Sequence, residues 1–428
     1  MRLRSRNRLT LFTALLVCSP FLLAQSSKNP FYLRDGDIVV FYGDSITEQR
    51  YYTQSVEVYT VTRFPHMRVQ FFNAGVGGDS VSGGSAGPID LRLTRDILPQ
   101  KPTVVTVMLG MNDGGYGLLT PKIETKYTQG YEHILNSIQQ ALPGVRLSLL
   151  GPSPYDEITR PEIFTGGYNS TLTHFGEIDR ELARKHGAIF IDLNAPFVAS
   201  LKKGLAIDPL ATELLLPDRV HPEPMAHWFM ADAILKGWNA SSIVSSTTID
   251  AKKLVATDTE NSHVTELVRS PGKDAVLDWT ELDDALPLPL DNKNEGNHFL
   301  RQISNIDQDL DQQLLTVQGL NPGSYLLTID GRPVGTFADA DFAKGINLAD
   351  WNTPMRSQAY TVNWLIRDRD DAHYVRLRMF ANELKTGTSA EPGASDLLRF
   401  EQALQDRIYD EALPLPHQYR IAPVENAR

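Results

Sequence analysis

From Asp37 to about Trp238, short uninterrupted apolar runs alternate with stretches of helical spacing. Ile38 to Tyr42 is a β-rich run that stops at Gly43, and Val69 to Phe72, Thr103 to Leu109, Val145 to Leu150 and Ala188 to Leu193 repeat the pattern. Between them, residues such as Tyr127, Tyr131, Ile134, Leu135 and Ile138 recur every three or four positions and share one helix face. Runs that are apolar at every position, separated by helices, predict a parallel sheet covered on both sides: an α/β fold with three α/β/α layers. Ligands of such sheets sit beyond the carboxyl ends of the strands. The residues that follow each strand therefore carry the functional information.

Past Ser241 the texture changes. Ser242 to Thr248 reads as a polar linker, and Ala285-Leu286-Pro287-Leu288-Pro289-Leu290 cannot form regular structure because of its prolines. Leu314 to Gly319, Tyr325 to Ile329 and Val334 to Phe337 read as short strands, the last two joined by a turn at Asp330-Gly331. Two helices follow, the second capped by Ser395 and carrying Leu397, Phe400, Leu404 and Ile408 at helical spacing. The expected organisation is a domain over residues 30–242 and a smaller β-rich domain with a helical tail over 250–428. At the other end, Arg2, Arg4, Arg6 and Arg8 precede an apolar stretch from Leu9 to Ala24 that Pro20 interrupts. Basic head, short apolar middle and a small residue before Gln25-Ser26-Ser27 are the parts of a secretory signal peptide over 1–24. The run is short for a bilayer span, so an exported protein, periplasmic or extracellular, without stable membrane insertion is expected. A lipid at Cys18 is the minor alternative, opposed by the bulk of Val17.

Composition narrows the partners. The chain has 428 residues, 42% hydrophobic and 22% charged, which are the proportions of an ordinary globular protein. Its formal charge is −11 and becomes −15 once a leader with four arginines and no acids is removed. Without a basic tract it has no means of holding phosphate backbones, so nucleic acid is excluded. The single cysteine excludes a thiolate metal site and an intrachain disulfide. Asp307-x-Asp309-x-Asp311 begins like a calcium loop, but Gln312 stands where glycine is required and Gln318 where glutamate is required. A solvated acidic loop is expected there, with no metal. The charged run Arg367 to Asp371 likewise reads as an exposed face. No nucleotide-binding glycine fingerprint is present, and no cofactor is expected.

The strand ends are more specific. Gly43-Asp44-Ser45 follows the first run, and a serine starting a helix places its oxygen beside free backbone N–H groups, where a developing anion is favoured; the same residues make an ordinary helix cap. Asn73-Ala74-Gly75-Val76-Gly77-Gly78 follows the second run and lets backbone N–H groups approach a ligand closely. Gly110-x-Asn112-Asp113 follows the third and offers a neutral side-chain donor. Asp218-x-x-His221 places a carboxylate where it can orient an imidazole.

In that order and at those positions, the four blocks resemble those of the SGNH, or GDSL, hydrolase superfamily, across roughly residues 35–240. The stretch Gly43 to Tyr116 also resembles exported bacterial GDSL-type esterases with a C-terminal extension. The resemblance implies a flavodoxin-like sandwich with Ser45 as nucleophile, His221 as base and Asp218 as its orienting acid. It implies an oxyanion hole of Ser45 N–H, Gly78 N–H and the Asn112 amide, with Gly77 as the alternative to Gly78. Such an enzyme hydrolyses carboxylic esters of small molecules or glycans. Tyr51, Tyr52, Tyr116, Tyr155 and Tyr168 fall near the expected site; they either offer faces to sugar rings, as an O-acetyl glycan esterase would need, or simply pack loops. A lysophospholipase or general carboxylesterase is the alternative specificity, and a carbohydrate-binding protein with a vestigial hydrolase domain is the alternative class.

Overall fold

A computed structural model of the protein describes residues 30–270, 276–291, 293–386 and 391–424. The predicted leader and Cys18 lie outside the described residues. Five parallel strands form the first sheet: β1 (Ile38–Gly43), β2 (Gln70–Gly75), β3 (Val104–Met108), β4 (Arg146–Leu150) and β5 (Ile189–Ile191). Their spatial order is β2-β1-β3-β4-β5, with Val40 opposite Phe72 on one side and Val105 on the other. The order reverses between β1 and β3, which places the crevice of a doubly wound fold at the carboxyl ends of those two strands. Val39, Val40, Phe41 and Tyr42 are all fully buried, which is why the strand shows no polar alternation.

Helices cover both faces: α1 (Ser45–Glu48), α2 (Tyr51–Arg63), α3 (Pro121–Ala141), α4 (Tyr168–His186), α5 (Asn194–Ile207) and α6 (His227–Gly237). In α3 the buried residues are Tyr127, Tyr131, Ile134, Leu135 and Ile138, the face read from their spacing, and Thr120 caps the helix by accepting the Ile123 N–H. The architecture is the predicted flavodoxin-like α/β/α sandwich, followed by a β-rich region with a helical tail.

That second region corrects several expectations. Residues 242–248, read as a linker, belong largely to a strand, β6 (Ile243–Asp250). Its Ser and Thr positions concealed alternate burial, and the Thr247 hydroxyl is satisfied by donating to Glu281 Oε1 at 2.6 Å. The remaining strands are β7 (Val255–Glu260), β8 (Ser262–Arg269), β9 (Leu277–Asp283), β10 (Gln312–Gln318), β11 (Ser324–Ile329), β12 (Arg332–Ala338), β13 (Ile346–Asn347) and β14 (His417–Pro423). They form two sheets, β13-β10-β6-β7 and β8-β9-β14-β11-β12, which share a core containing Ile249, Val317, Trp279 and Tyr419. The Asp330-Gly331 turn joins β11 to β12 with both residues at positive φ, as a two-residue hairpin turn requires. The proline-rich segment 285–290 adopts no regular element and is buried throughout. Its Leu286 N–H is satisfied by Thr62 O at 3.1 Å.

Two long helices, α7 (Pro354–Thr386) and α8 (Glu391–Glu411), complete the described chain. Ser395 lies inside α8 rather than capping it, because Glu391 and Pro392 already start the helix. Val362, Ile366, Ile408, Tyr409 and Ala412 belong to the same core as the first sheet. The charged run 367–371 is not simply an exposed face: the Arg369 guanidinium reaches both Glu57 carboxylate oxygens at 2.6 Å, and both side chains are buried. The acidic stretch 307–311 is likewise not a solvated loop. Asp307 pairs with Arg301, Asp309 with Lys236 at 2.6 Å, and the fully buried Asp311 accepts the Leu288 N–H at 2.8 Å. Burial makes the partner obligatory for Asp311.

Glu57→Gln leaves the buried Arg369 charge short of its bidentate partner and is expected to lower stability by about 3 kcal/mol, measured by urea unfolding of the full chain.

Candidate active site

Gly43 ends β1 where nothing larger fits: a Cβ there would lie 2.1 Å from Thr47 Oγ1 and 2.8 Å from Met108 O. The chain turns directly into α1, and the buried Asp44 caps it by accepting the Ile46 N–H at 3.0 Å. Burial pushes the Asp44 carboxyl up to about 7 against the pull of that hydrogen bond. Ser45 thereby becomes the first residue of the helix, half-buried at the carboxyl end of the sheet.

His221 arrives from a segment 176 residues away. Its Nε2 lies 2.7 Å from Ser45 Oγ and its Nδ1 lies 2.6 Å from Asp218 Oδ2. The other Asp218 oxygen accepts the Val220 and His221 N–H groups at 3.0 and 2.8 Å. Burial raises the Asp218 carboxyl, but these bonds and the imidazole outweigh it and hold the group below the usual carboxylate range. Neighbouring residues brace the loop: Gln49 Nε2 donates to Pro222 O at 3.3 Å, and the buried His227 lies 3.1 Å from the same oxygen. Burial pushes His227 down to about 3, so it stays neutral and is no rival base near pH 7.

The donor groups converge on the same end of the sheet. The Gly77 backbone passes beside Ser45, so that a Cβ on Gly77 would lie 3.9 Å from Ser45 Cβ. Its N–H donates to Glu48 Oε2 at 2.6 Å and is therefore engaged. Among the described residues the Gly78 and Ser45 N–H groups have no protein acceptor. Gly78 has φ +77°, a conformation that glycine adopts without strain. Asn112 Nδ2 donates to Asp79 O at 2.9 Å, which leaves its second amide hydrogen free of that bond. Tyr116 donates its hydroxyl to Asn112 Oδ1 at 3.2 Å and so sets which way the amide faces. Asp113 accepts the Val81 N–H at 3.0 Å, and burial pushes its carboxyl up to about 6.

Two contributors, Arg92 and Glu48, and the role of a third, Tyr116, escaped the sequence reading. Arg92 is fully buried, donating to Asp79 at 2.7 Å and to Ala74 O at 2.5 Å, and so braces the glycine block from beneath. Tyr116 orients Asn112 while at φ +56°, an uncommon conformation for a large residue. Glu48 holds Gly77. Of the five tyrosines, Tyr52 and Tyr168 are fully buried, and Tyr116, Tyr155 and Tyr168 pack on one another with centroids 5.1 to 6.0 Å apart. Loop packing accounts for that cluster.

Residues 41–229 match the model of the GDSL-like lipase/acylhydrolase family. This part of the chain is an SGNH/GDSL hydrolase domain. The protein is accordingly a carboxylic ester hydrolase of the SGNH type. It is 28% identical over 176 residues to an acetylxylan esterase of Geobacillus stearothermophilus, covering 40% of this chain and 74% of that protein. The solved structure of a gut microbial diltiazem-metabolizing enzyme superposes with a TM-score of 0.79 at 28% identity, covering 92% of this chain and 98% of the other. That likeness extends through the β-rich region and the two long helices as well as the SGNH sandwich. Among the described residues no helix is long and apolar enough to cross a membrane.

A serine hydroxyl 2.7 Å from an imidazole is poised to react with a fluorophosphonate. Such a probe should label the protein once, at Ser45 by peptide mapping, and labelling should vanish in Ser45→Ala and slow sharply in His221→Ala.

Proposed function

We propose that Ser45, His221 and Asp218 form a catalytic triad that hydrolyses acetyl esters through an acyl-enzyme. The observation that carries the reading is the single imidazole hydrogen-bonded on one side to Ser45 and on the other to Asp218. His221 Nε2 takes the Ser45 proton as Oγ attacks the ester carbonyl, and the Asp218 carboxylate stabilises the imidazolium that results. The tetrahedral oxyanion is received by Ser45 N–H, Gly78 N–H and the free Asn112 amide hydrogen. Gly78 is preferred to Gly77 because the Gly77 N–H is already committed to Glu48. The imidazolium then protonates the leaving alcohol. Water, deprotonated by the same imidazole, releases the acid and restores Ser45.

Acetyl as the acyl group is supported by the likeness to an acetylxylan esterase. An acetylated polysaccharide as the natural substrate fits a protein whose first 24 residues read as an export signal. In that reading the mature enzyme begins after Ala24, residues 30–242 carry the chemistry, and residues 250–428 accompany them as an accessory region.

Acetate release from acetylated xylan, measured beside p-nitrophenyl acetate and a long-chain ester, tests the assignment. Release from the short acetyl esters with little turnover of the long acyl chain is expected, and the reverse preference would identify a lipase-like enzyme instead. Ser45→Ala should abolish release, and Asn112→Ala should lower kcat by roughly 10²–10³, the usual cost of one oxyanion donor.

The pH dependence follows from the proton's path. A protonated imidazole accepts nothing from Ser45, so kcat/KM should fall on acidification. Asp218, held below the usual carboxylate range, stays ionised near neutral pH. Burial pushes the Asp44 carboxyl up to about 7, so the acid limb should be measured again in Asp44→Asn, which preserves the helix cap; its persistence there assigns the limb to the imidazole.

A further inference from the structure

The C-terminal helix α7 reaches into the site through one carboxylate. Glu48 closes α1, three residues after Ser45, and divides its two oxygens between the halves of the protein. Oε2 accepts the Gly77 N–H at 2.6 Å. Oε1 accepts the Tyr374 hydroxyl at 3.2 Å and pairs with the Arg378 guanidinium. Tyr374 also packs against two cations, with the Arg50 guanidinium 4.6 Å and the Arg378 guanidinium 5.1 Å from its ring centroid. Arg50 is anchored to the same helix through Asp371 at 2.9 Å. A continuous set of contacts therefore runs from α7 through Glu48 to the residue before Gly78.

We infer that Tyr374 and Arg378 are positioning residues for ester hydrolysis, acting through Glu48 to set the peptide that presents the Gly78 N–H to the oxyanion. The inference rests on the triad reading above and deepens it. Two physical effects are combined. The bond from Gly77 N–H to Glu48 fixes the backbone orientation one residue before the donor, in a glycine-rich stretch that would otherwise sample many conformations. Glu48 also places a negative charge near the point where a second negative charge develops, and that charge would oppose the oxyanion. The Arg378 guanidinium neutralises it through Oε1, the oxygen that Gly77 does not use. Glu48 alone would hold the loop and penalise the reaction; with Arg378 it holds the loop without that penalty. The C-terminal region is thus part of the catalytic apparatus rather than an appendage to it.

Steady-state kinetics of full-length variants on p-nitrophenyl acetate test this. Tyr374→Phe and Arg378→Gln should each lower kcat, the latter by roughly tenfold, with KM changed less than about twofold; this is a smaller loss than deletion of a donor outright. Arg378→Lys should restore most of the rate, since it returns the charge. Adding Glu48→Gln to Arg378→Gln should recover activity relative to Arg378→Gln alone, because the uncompensated charge is gone while a side-chain oxygen remains for Gly77. Tyr409→Phe serves as the control: it removes another contact between a C-terminal helix and the sandwich, the hydroxyl bond to Val69 O at 2.9 Å, without touching Glu48. It should lower the melting temperature and leave kcat unchanged. Wild-type kcat in both Tyr374→Phe and Arg378→Gln, while Ser45→Ala remains dead, would overturn the inference and leave the triad standing. An equal loss of kcat in Tyr409→Phe would overturn it too, by assigning the effect to general docking. Should Arg378→Gln fail to fold, Tyr374→Phe, which keeps every charge, decides the matter alone.

Discussion

A parallel sheet buried on both faces has nowhere to put chemistry except the ends of its strands. In this protein that constraint organises everything else. Val39 to Tyr42 are fully buried, so the first polar side chains available after β1 are those of Asp44 and Ser45. The reversal of strand order between β1 and β3 opens the crevice there, and the glycine block after β2 and Asn112 after β3 face the same opening. His221 completes the arrangement from a loop far away in sequence, locked by the two backbone bonds to Asp218 and by the contacts at Pro222.

The second half of the chain is bound to the first by polar groups as well as apolar ones. Arg369 on α7 meets Glu57 on α2, Arg50 meets Asp371, and Glu48 meets Tyr374 and Arg378. Pairs that are buried, such as Arg369 with Glu57, tolerate little displacement, because separating them strands a charge away from water. Ile366, Ile408 and Tyr409 share the core of the first sheet. Of these contacts, those of Tyr374 and Arg378 with Glu48 lie at the end of the sheet where Ser45 sits, which is the structural ground for the positioning role inferred for α7.

Legibility varied with the range of the interaction responsible. The five parallel strands were readable because a run that is apolar at every position must be covered on both faces, and α3 because its face repeats at helical spacing. The hairpin at Asp330-Gly331 was readable from a local turn requirement. The strand β6 was not, since Ser and Thr resemble a linker until Glu281 supplies the partner that lets Thr247 be buried. The charged runs 307–311 and 367–371 were misread for the same reason: Asp311 and Arg369 look solvated in sequence but are buried where distant residues supply their partners. Ser45, Asp218 and His221 were legible as residues through block order, but their distances were not.

Sequence by itself determined the sandwich, the turn at Gly43 that presents Ser45, and the spacing that lets Asp218 reach His221, because each depends on neighbours within a few positions or on a period of burial. Tertiary structure alone decided that the Gly77 N–H is occupied and the Gly78 N–H is left without a protein acceptor among the described residues, that Tyr116 sets the Asn112 amide, and that α7 neutralises Glu48. Those outcomes turn on which donor meets which acceptor across tens to hundreds of residues. Composition and spacing hold no record of such pairings, because any of several carboxylates or amides could have satisfied each group until folding brought one of them within reach.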